Sequence, residues 1–461
     1  MFNKIIDEQK IVELLAQPKP DKQWIRDIVQ KSLDKRRLSL EETAALLAVD
    51  EPALLEELFK SAKEVKETIY GNRLVIFAPL YISNLCKNEC LYCAFRKSNQ
   101  NIKRAFLSMD QIKLETEALL KTGQKRVLLV AGETYPKDSV KYILDAIETV
   151  YSARDGENNI RRLNVNIAPV AKEEFKALKA AGIGTYQLFQ ETYHRETYKK
   201  MHLSGPKSDY NKRLATIDLA FESGIDDLGI GVLFGLYNYK FEVLALMMHI
   251  EHLEKKFGLG PHTISVPRIE PAAGSDVAAN PPYQTTDLEF KKILATLRLS
   301  VPYTGLILST RENPEVRKAA FSIGVSQISA GSRTNPGGYS EGADETHGQF
   351  SLGDHRPIDE VILELCESGF IPSFCTSCYR LGRTGLDFME LAKPGQIKNK
   401  CLPNALMTFS EYLQDYASTK VKEVGAKLIK SELANITNEK VRAFTEKSLG
   451  EIKSGTRDLF C

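Results

Sequence analysis

Residues 81–95 of the 461-residue chain read "YISNLCKNECLYCAF" and place Cys86, Cys90 and Cys93 within eight positions. A closed structural metal site takes four protein ligands, whereas this stretch offers three. Three thiolates can hold three corners of a 4Fe–4S cube and leave the fourth iron open to a small molecule. The alternatives are a zinc knuckle or chance clustering, but no further cysteine or histidine occurs between Lys97 and His194. The spacing therefore predicts an iron–sulfur cluster with one open iron.

A second trio, Cys375, Cys378 and Cys401, lies near the other end of the chain. The C-x2-C spacing of its first two members also occurs in zinc ribbons. A ribbon needs a second such pair nearby, which the C-terminal region lacks; the last histidine is His355, and only Cys366 or Cys461 could complete a zinc site locally. We therefore interpret this trio as the ligands of a second iron–sulfur cluster, again with one open iron.

The composition is that of a soluble globular protein, with 43% apolar and 26% charged residues. The 62 basic and 60 acidic residues nearly cancel, so the charge predicts neither a nucleic-acid partner nor a membrane surface. There is no signal-peptide core and no run near the roughly 18 apolar residues that span a bilayer. These features favour the cytoplasm, where cysteines stay reduced. The remaining Cys366 and Cys461 are interpreted as a buried thiol and part of a frayed tail.

Short apolar runs alternate with amphipathic segments from Arg73 onward. Helical candidates such as residues 109–123 and 172–182 lie between the runs and end on glycine. Eight strand-then-helix units predict an α/β fold, a closed (β/α)8 TIM-type barrel with its chemistry at the carboxyl ends of the strands. The eight runs are "RLVIFAPLYIS", "RVLLVAGE", "RLNVNIAP", "TYQLFQET", "DLGIGVLFG", "HTISVPRIEP", "GLILSTRE" and "VSQISAGS".

The segments on either side of the barrel are predicted to be helical. Residues 1–70 form an N-terminal extension, in which Ser39 and Glu42 make a capping box ahead of an apolar stripe. The barrel covers residues 71–356. Residues 357–461 form a mainly helical C-terminal extension that carries the second cysteine trio.

The C-x3-C-x2-C loop with Tyr92 before its last cysteine, on a predicted eight-unit barrel, resembles the radical S-adenosylmethionine superfamily. The resemblance implies that S-adenosylmethionine binds the open iron of the first cluster and is cleaved to a 5′-deoxyadenosyl radical. For the charged residues that it implicates, the alternative is a solvated charge at the start of a helix. The implied cofactor contacts are Tyr92, Gly132, Glu133 (methionine amine), Glu191 (ribose), Arg213 (methionine carboxylate) and Gly231 (adenine).

Within the superfamily, the C-x2-C-x22-C tail beginning "CTSCYRLGRTG" resembles the HydG family, the tyrosine lyases of [FeFe]-hydrogenase maturation. The likeness covers nearly the whole chain. It implies cleavage of tyrosine between Cα and Cβ to p-cresol and dehydroglycine. Dehydroglycine would then become carbon monoxide and cyanide at the second cluster, a 4Fe–4S or 5Fe–5S centre. The product would be an iron–carbonyl–cyanide–cysteine unit for the hydrogenase cofactor.

The same resemblance suggests that His262, near the barrel mouth, holds a labile fifth iron, which a non-protein cysteine bridges to the second cluster. The alternative is a buried histidine bonded to the backbone. The expected partners are the substrate tyrosine, a low-potential electron donor such as a ferredoxin or flavodoxin, and other [FeFe]-hydrogenase maturation proteins.

The carboxylate of a tyrosine substrate needs a cation, and its ring needs a dry pocket. Arg311, Arg268 and Ser309 lie near the predicted carboxyl ends of strands and are the candidates for binding it. Either arginine could instead pair with Glu270 or Glu312.

Three other functions compete with this interpretation. The ThiH family, the tyrosine lyases of thiazole synthesis, shares the barrel chemistry but lacks the 375–401 cysteine tail. A non-enzymatic iron–sulfur carrier would need no barrel with adenosylmethionine contacts. A cobalamin-free radical mutase would fit if tyrosine were not the substrate. Release of 5′-deoxyadenosine by the reduced protein separates an enzyme from a carrier.

Overall fold

The eight predicted runs each contain a strand, and the strands form the wall of one closed barrel in this computed structural model. The structure describes residues 5–136, 139–340, 342 and 347–461. All neighbouring strands are parallel, and the pairing of β1 with β2 closes the ring, which confirms the predicted (β/α)8 fold. The bounds are β1 Arg73–Ser83, β2 Arg126–Ala131, β3 Arg162–Asn166, β4 Tyr186–Gln187, β5 Leu228–Gly231, β6 Thr263–Ser265, β7 Gly305–Leu308 and β8 Gln327–Ser329.

A ninth strand, β9 (Ile371–Ser373), was not predicted and joins the C-terminal extension to the barrel. It pairs in parallel with the first three residues of β1, on an edge that β2 leaves free because β2 pairs only from Ala78 onward. At three residues, with Pro372 in the middle, it has no recognisable strand pattern, and proline is tolerated because β9 is an edge strand. This pairing carries the chain beyond β9 to the amino ends of the barrel strands.

The helices of the two extensions pack on the barrel, and among the described residues nine further α-helices lie between its strands. None of the helices in the described part of the chain is long and apolar enough to cross a membrane. Before β1 lie α1 Glu8–Leu15, α2 Lys22–Leu33, α3 Leu40–Ala48 and α4 Pro52–Tyr70. Within the barrel lie α5 Met109–Lys121, α6 Lys141–Ser152, α7 Lys172–Ala180, α8 Arg195–Met201, α9 Tyr210–Glu222, α10 Tyr239–Phe257, α11 Asp276–Ala279, α12 Asp287–Ser300 and α13 Pro314–Phe321. After β8 lie α14 Ile358–Glu367, α15 Ser377–Arg380, α16 Gly385–Ala392, α17 Lys398–Asp415, α18 Thr419–Ala434 and α19 Glu439–Lys453.

Local signals in the sequence explain several helix ends. The predicted capping box of α3 is present, with the Ser39 side chain accepting from the Glu42 amide. The glycines after α5 and α7, Gly123 and Gly182, have φ values of 85° and 77°, the left-handed region that glycine adopts without strain. These ends set where each chain segment turns back toward the next strand.

Candidate functional site

The first cysteine trio lies on the loop after β1 and lines a cavity of about 190 Å³ at the carboxyl ends of the strands, here called the upper cavity. Backbone hydrogen bonds attach this loop to the segment after α8: Leu91 donates to the Met201 carbonyl at 3.0 Å, and Glu89 to the Ser204 carbonyl at 3.0 Å. Burial raises the pKa of all three thiols, that of Cys93 to about 11, because a buried thiolate loses its hydration. A bound metal would supply the missing charge compensation.

The thiols of each cysteine trio line a cavity. In the described ranges, no three His, Cys, Asp or Glu side chains are arranged to hold one metal ion. An iron–sulfur cluster presents several irons, so its thiolate ligands surround a shared space and do not converge on one point. The arrangement of the thiols around a cavity suits such a cluster.

The three charged residues predicted to bind the cofactor meet beside the first trio and all line the upper cavity. An Arg213 Nη1 donates to Glu133 Oε1 at 3.0 Å, and the other Nη lies 3.9 Å from Glu191 Oε1. Burial by itself would raise the pKa of Glu133, but the charges of Arg213 and Lys207 outweigh it and hold the pKa below its ordinary value. The site is therefore a buried set of paired opposite charges.

Two residues that the sequence reasoning missed complete this charged set. Lys207 donates to Glu191 Oε1 at 2.7 Å, and Asn88 donates to Glu133 Oε2 at 2.8 Å. The Asn88 side-chain oxygen also accepts from the Lys207 amide at 2.9 Å, which links the cysteine loop to the turn before α9. Asn88 lies between two predicted ligands, which was a usable signal. Lys207 lies in a short 3₁₀ helix, Pro206–Ser208, whose sequence carries no such pattern.

The backbone at the upper cavity has two special features. A Cβ on Gly132 would lie 2.2 Å from the Leu85 carbonyl oxygen, so the close approach of β2 to the cysteine loop requires glycine there. Glu191 has a φ of 69°, an uncommon left-handed conformation for a residue with a side chain.

The remaining two predicted cofactor contacts are Tyr92 and Gly231. Tyr92 lines the upper cavity, and its hydroxyl is hydrogen-bonded to His202 Nε2 at 2.9 Å. Gly231 is not among the lining residues, and its missing Cβ makes room for Phe189 and the Ser265 carbonyl.

Of the three residues predicted to bind tyrosine, Arg311 and Ser309 line the upper cavity and Arg268 does not. The Arg311 guanidinium lies over the Phe350 ring, 3.3 Å from its centroid, and burial lowers its pKa. Arg268 is held in ion pairs instead, with Glu312 Oε2 at 3.0 Å from its Nε and Asp287 Oδ1 at 2.8 Å from its Nη1. The pairing with Glu312 was the alternative that the sequence left open.

The second trio lines a cavity of about 60 Å³ at the amino ends of the strands, here called the lower cavity. Cys375 follows β9, Cys378 lies on α15 and Cys401 on α17. Burial raises the pKa of Cys378 and that of Cys375, the latter to about 12. His262 immediately precedes β6 and also lines this cavity, so it lies with the second trio and not at the carboxyl mouth.

Arginines surround the lower cavity and were missed by the sequence reasoning. Arg73 donates to Cys401 Sγ at 3.2 Å, and Arg126 donates to the Cys375 carbonyl at 2.9 Å. Arg73, Arg126 and Arg162 are the first residues of β1, β2 and β3, so three successive strand runs that begin with arginine were the available signal. Their charges oppose those of thiolates in a buried site.

The expectation that Cys461 belongs to a frayed tail is wrong. Its amide donates to Asn404 Oδ1 at 2.9 Å, and its carbonyl oxygen accepts from Asn404 at 2.9 Å and from Arg383 at 2.7 Å. Arg383 lines the lower cavity, so these contacts attach the segment to its wall. Cys366 is buried, as expected.

Comparisons with known proteins show the family of the chain. The family model of the radical SAM superfamily matches residues 80–249, and that of the biotin and thiamin synthesis associated domain matches residues 265–371. A crystal structure of HydG, a maturase of the [FeFe]-hydrogenase, is 49% identical in sequence and covers 99% of this chain and 100% of its own, with a TM-score of 0.95. This chain belongs to the HydG family of radical S-adenosylmethionine proteins.

Two further relatives show how far the likeness extends along the chain. The X-ray structure of HydG from Carboxydothermus hydrogenoformans is 42% identical, covers 97% of this chain and 99% of its own, and has a TM-score of 0.85. The 2-iminoacetate synthase of Escherichia coli strain K12 is 32% identical over 348 residues, which are 75% of this chain and 89% of that protein. The HydG likeness thus includes the tail, whereas the likeness to 2-iminoacetate synthase leaves a quarter of the chain unmatched.

In this HydG-family barrel, the residues that line the two cavities are only two positions apart on several strands. On four strands, the residue that lines the lower cavity comes two positions before one that lines the upper cavity. Two positions along a strand return a side chain to the same face, here the interior. Small or polar residues such as Gly229, Gln187 and Thr263 meet there, where barrels usually carry bulky branched side chains. The four pairs are Val75 and Phe77, Arg126 and Leu128, Gly305 and Ile307, and Gln327 and Ser329.

Proposed function

We propose that this chain is a carbon–carbon lyase that cleaves tyrosine to p-cresol and dehydroglycine and converts the latter to carbon monoxide and cyanide. The product would be an iron–carbonyl–cyanide–cysteine unit for [FeFe]-hydrogenase assembly. The observation that carries the proposal is the pair of cysteine-lined cavities at opposite ends of one barrel. The HydG likeness over nearly the whole chain supports it.

The upper cavity is the proposed site of tyrosine cleavage. Its three thiolates would hold a 4Fe–4S cluster that, with S-adenosylmethionine bound, supplies a 5′-deoxyadenosyl radical. Glu133 and Arg213 already pair with each other at 3.0 Å. The amino and carboxylate groups of a methionine moiety would present the matching charges, the ammonium to Glu133 and the carboxylate to Arg213. Glu191 would accept from ribose hydroxyls.

Arg311 is the proposed partner of the tyrosine carboxylate. Its guanidinium lines the upper cavity, and no hydrogen bond from it to another described side chain accompanies its stacking on Phe350. A carboxylate brought to a buried guanidinium forms a strong charge-assisted hydrogen bond. Ser309 lines the same wall and would add a further hydrogen bond.

The lower cavity is the proposed site where the diatomic products are trapped on iron. Cys375, Cys378 and Cys401 would hold the second cluster, a 4Fe–4S or 5Fe–5S centre. His262 would hold the labile iron, bridged to that cluster by a non-protein cysteine. Arg73 and Arg126 would balance the added negative charge of the thiolates and of cyanide.

The ThiH-like alternative has support of its own, because a 2-iminoacetate synthase is 32% identical over 75% of this chain. A lyase that only releases its product needs one cluster site, however, and here a second trio lines its own cavity together with a histidine. A cluster carrier is disfavoured by the buried charged set beside the first trio, which has no role in handing over a cluster.

The double substitution Cys375→Ser with Cys378→Ser tests whether tyrosine cleavage and carbon monoxide formation depend on different cysteine trios. Under strict anaerobiosis with dithionite, we expect 5′-deoxyadenosine and p-cresol to continue to form while carbon monoxide falls sharply. Cys93→Ser should abolish all three products, and Cys366→Ser, which alters a buried cysteine outside both sites, should abolish none. Wild-type carbon monoxide output from the double variant would make the tail structural. Absence of p-cresol from the reconstituted wild type would overturn the lyase proposal.

A further inference from the structure

His262 is held between two side chains at the lower cavity. Its Nδ1 lies 3.2 Å from Asp227 Oδ1, and its Nε2 lies 3.2 Å from the hydroxyl of Tyr379. Asp227 and His262 are both buried or nearly so, with side-chain exposures of 2% and 14%. Tyr379 directly follows the ligand candidate Cys378 on α15. His262 thus lies between Asp227 of the barrel and Tyr379 of the C-terminal extension.

The surroundings of Asp227 determine which imidazole nitrogen carries the proton. Its Oδ1 accepts no hydrogen bond from the described residues, although His262 Nδ1 lies only 3.2 Å away, while Oδ2 accepts from Arg162 at 3.4 Å. A buried carboxylate oxygen requires a donor, and a hydrogen on His262 Nδ1 would supply it after a small rotation of the ring. The Nε2 lone pair is then free to accept from the Tyr379 hydroxyl, and it faces the residues of the lower cavity.

We propose that Asp227 is a positioning residue for the labile iron: it fixes His262 in the Nδ1–H tautomer and keeps the Nε2 lone pair directed at the metal position. The inference rests on the proposed function, in which His262 is the ligand of that iron. Ligating histidines commonly donate their other ring N–H to a carboxylate, and loss of that partner weakens metal binding by about 10–100-fold. Asp227 itself would not touch the iron.

The Asp227→Asn variant tests this contact with little change of shape. An amide at this position presents an N–H₂ group to Nδ1 as readily as an oxygen, which allows the proton to move to Nε2 and block the metal position. The adjacent Asp226 offers a matched control, because it is exposed and its carboxylate accepts a hydrogen bond from the Thr384 hydroxyl at 3.0 Å. The control substitution is therefore Asp226→Asn.

The experiment titrates Fe²⁺ into the full-length reconstituted protein in the presence of L-cysteine and follows the high-spin electron paramagnetic resonance signal of the labile iron. Asp227→Asn should need about 10–100-fold more Fe²⁺ for half-occupancy. It should still make 5′-deoxyadenosine and p-cresol, which reports an intact barrel. Asp226→Asn should titrate like the wild type, and His262→Ala should lose the signal.

Wild-type iron affinity in Asp227→Asn, with the signal lost in His262→Ala, would overturn the positioning role and leave the proposed function standing. Full signal in His262→Ala would overturn both. A second measurement needs no variant of Asp227: ¹⁵N spectra of histidine-labelled, iron-free protein, with His262 assigned by its loss in His262→Ala. These should show the Nδ1–H tautomer, and an Nε2–H tautomer would overturn the inference.

Discussion

At the scale of single residues, the Tyr379 hydroxyl is hydrogen-bonded to His262 Nε2, the nitrogen that would bind the labile iron. The hydroxyl oxygen lies 3.2 Å from Nε2, and burial raises the pKa of Tyr379 to about 12, so it stays a neutral donor at physiological pH. Iron can bind His262 only when this hydrogen bond opens. A net hydrogen bond contributes about 1 kcal/mol, which corresponds to about fivefold in affinity.

Tyr379→Phe should therefore bind labile iron about fivefold more tightly than the wild type in an Fe²⁺ titration. The ring and its packing against Arg162 remain, and the change removes the hydroxyl that competes with iron, together with its contact to Thr185. Tyr412→Phe is the matched control, because that hydroxyl donates to Asp359 at 3.1 Å and does not line the lower cavity. Weaker iron binding in Tyr379→Phe would show that the hydroxyl supports the iron site and does not compete with it.

At the scale of elements, helix α10 holds the segment after β4 on which Glu191 lies. Glu242 of α10 is buried, accepts a hydrogen bond from the Thr192 hydroxyl, and accepts one from the Tyr193 amide at 2.8 Å. These contacts follow directly on Glu191, whose left-handed backbone must be maintained by its surroundings. The helix thus stabilises a conformation that the local sequence disfavours.

Burial raises the pKa of Glu242 to about 8, against 4.5 for an ordinary glutamate. Between these values the folded state binds a proton that the unfolded state lacks, so the stability due to Glu242 falls as the pH rises from about 4.5 to 8. The wild type should lose free energy of unfolding over this range relative to Glu242→Gln, as measured by urea unfolding at several pH values. Glu251→Gln, a half-exposed position on the same helix, should show no such difference.

Glu242→Gln should also weaken the binding of S-adenosylmethionine to the reconstituted protein, because the replaced carboxyl group supports the Glu191 segment. A pH-independent difference between wild type and Glu242→Gln would mean that Glu242 is ionised when folded. Glu242 would then accept its hydrogen bonds as a carboxylate over the whole pH range of the measurement.

At the scale of the whole molecule, the proposed chemistry depends on passage through the barrel. The two cavities lie at opposite ends of the barrel, and Gly229 and Thr263, which line neither cavity, pack against Gln187, which lines the upper one. A Cβ on Gly229 would lie 2.8 Å from both Gln187 Cγ and Thr263 Oγ1, closer than real contacts of this kind. This position therefore controls how much space remains in this part of the barrel.

Gly229→Ala should lower the amount of carbon monoxide formed per p-cresol, because the intermediate would pass a narrower interior. The overpacking should cost about 1–3 kcal/mol of stability. The products are measured together in one anaerobic assay, so a general loss of activity cancels in the ratio. Gly450→Ala, where an added Cβ meets no atom within 4 Å, is the control. An unchanged ratio would place the route outside this part of the barrel.

The sequence by itself determined the barrel and the two cysteine trios. Strand runs such as residues 73–83 were predictable because a buried parallel strand needs a continuous apolar run, and helix ends such as Gly123 because glycine tolerates a left-handed φ. Five of the six cysteines were recognisable because each lies three or four positions from another, whereas Cys401 follows Cys378 after 22 intervening residues and rests on the family resemblance. Such signals are local, and each can be read from a few neighbouring residues.

The tertiary structure alone decided how these pieces combine. β9 is a strand only because β1 offers it a free edge, and that pairing places the second trio at the opposite end of the barrel from the first. Lys207, Asp227 and Tyr379 carry no pattern of their own, and they matter through partners that are distant along the chain. The physical reason is that hydrogen bonds and ion pairs depend on distance in space, and the sequence specifies that distance only through the complete fold.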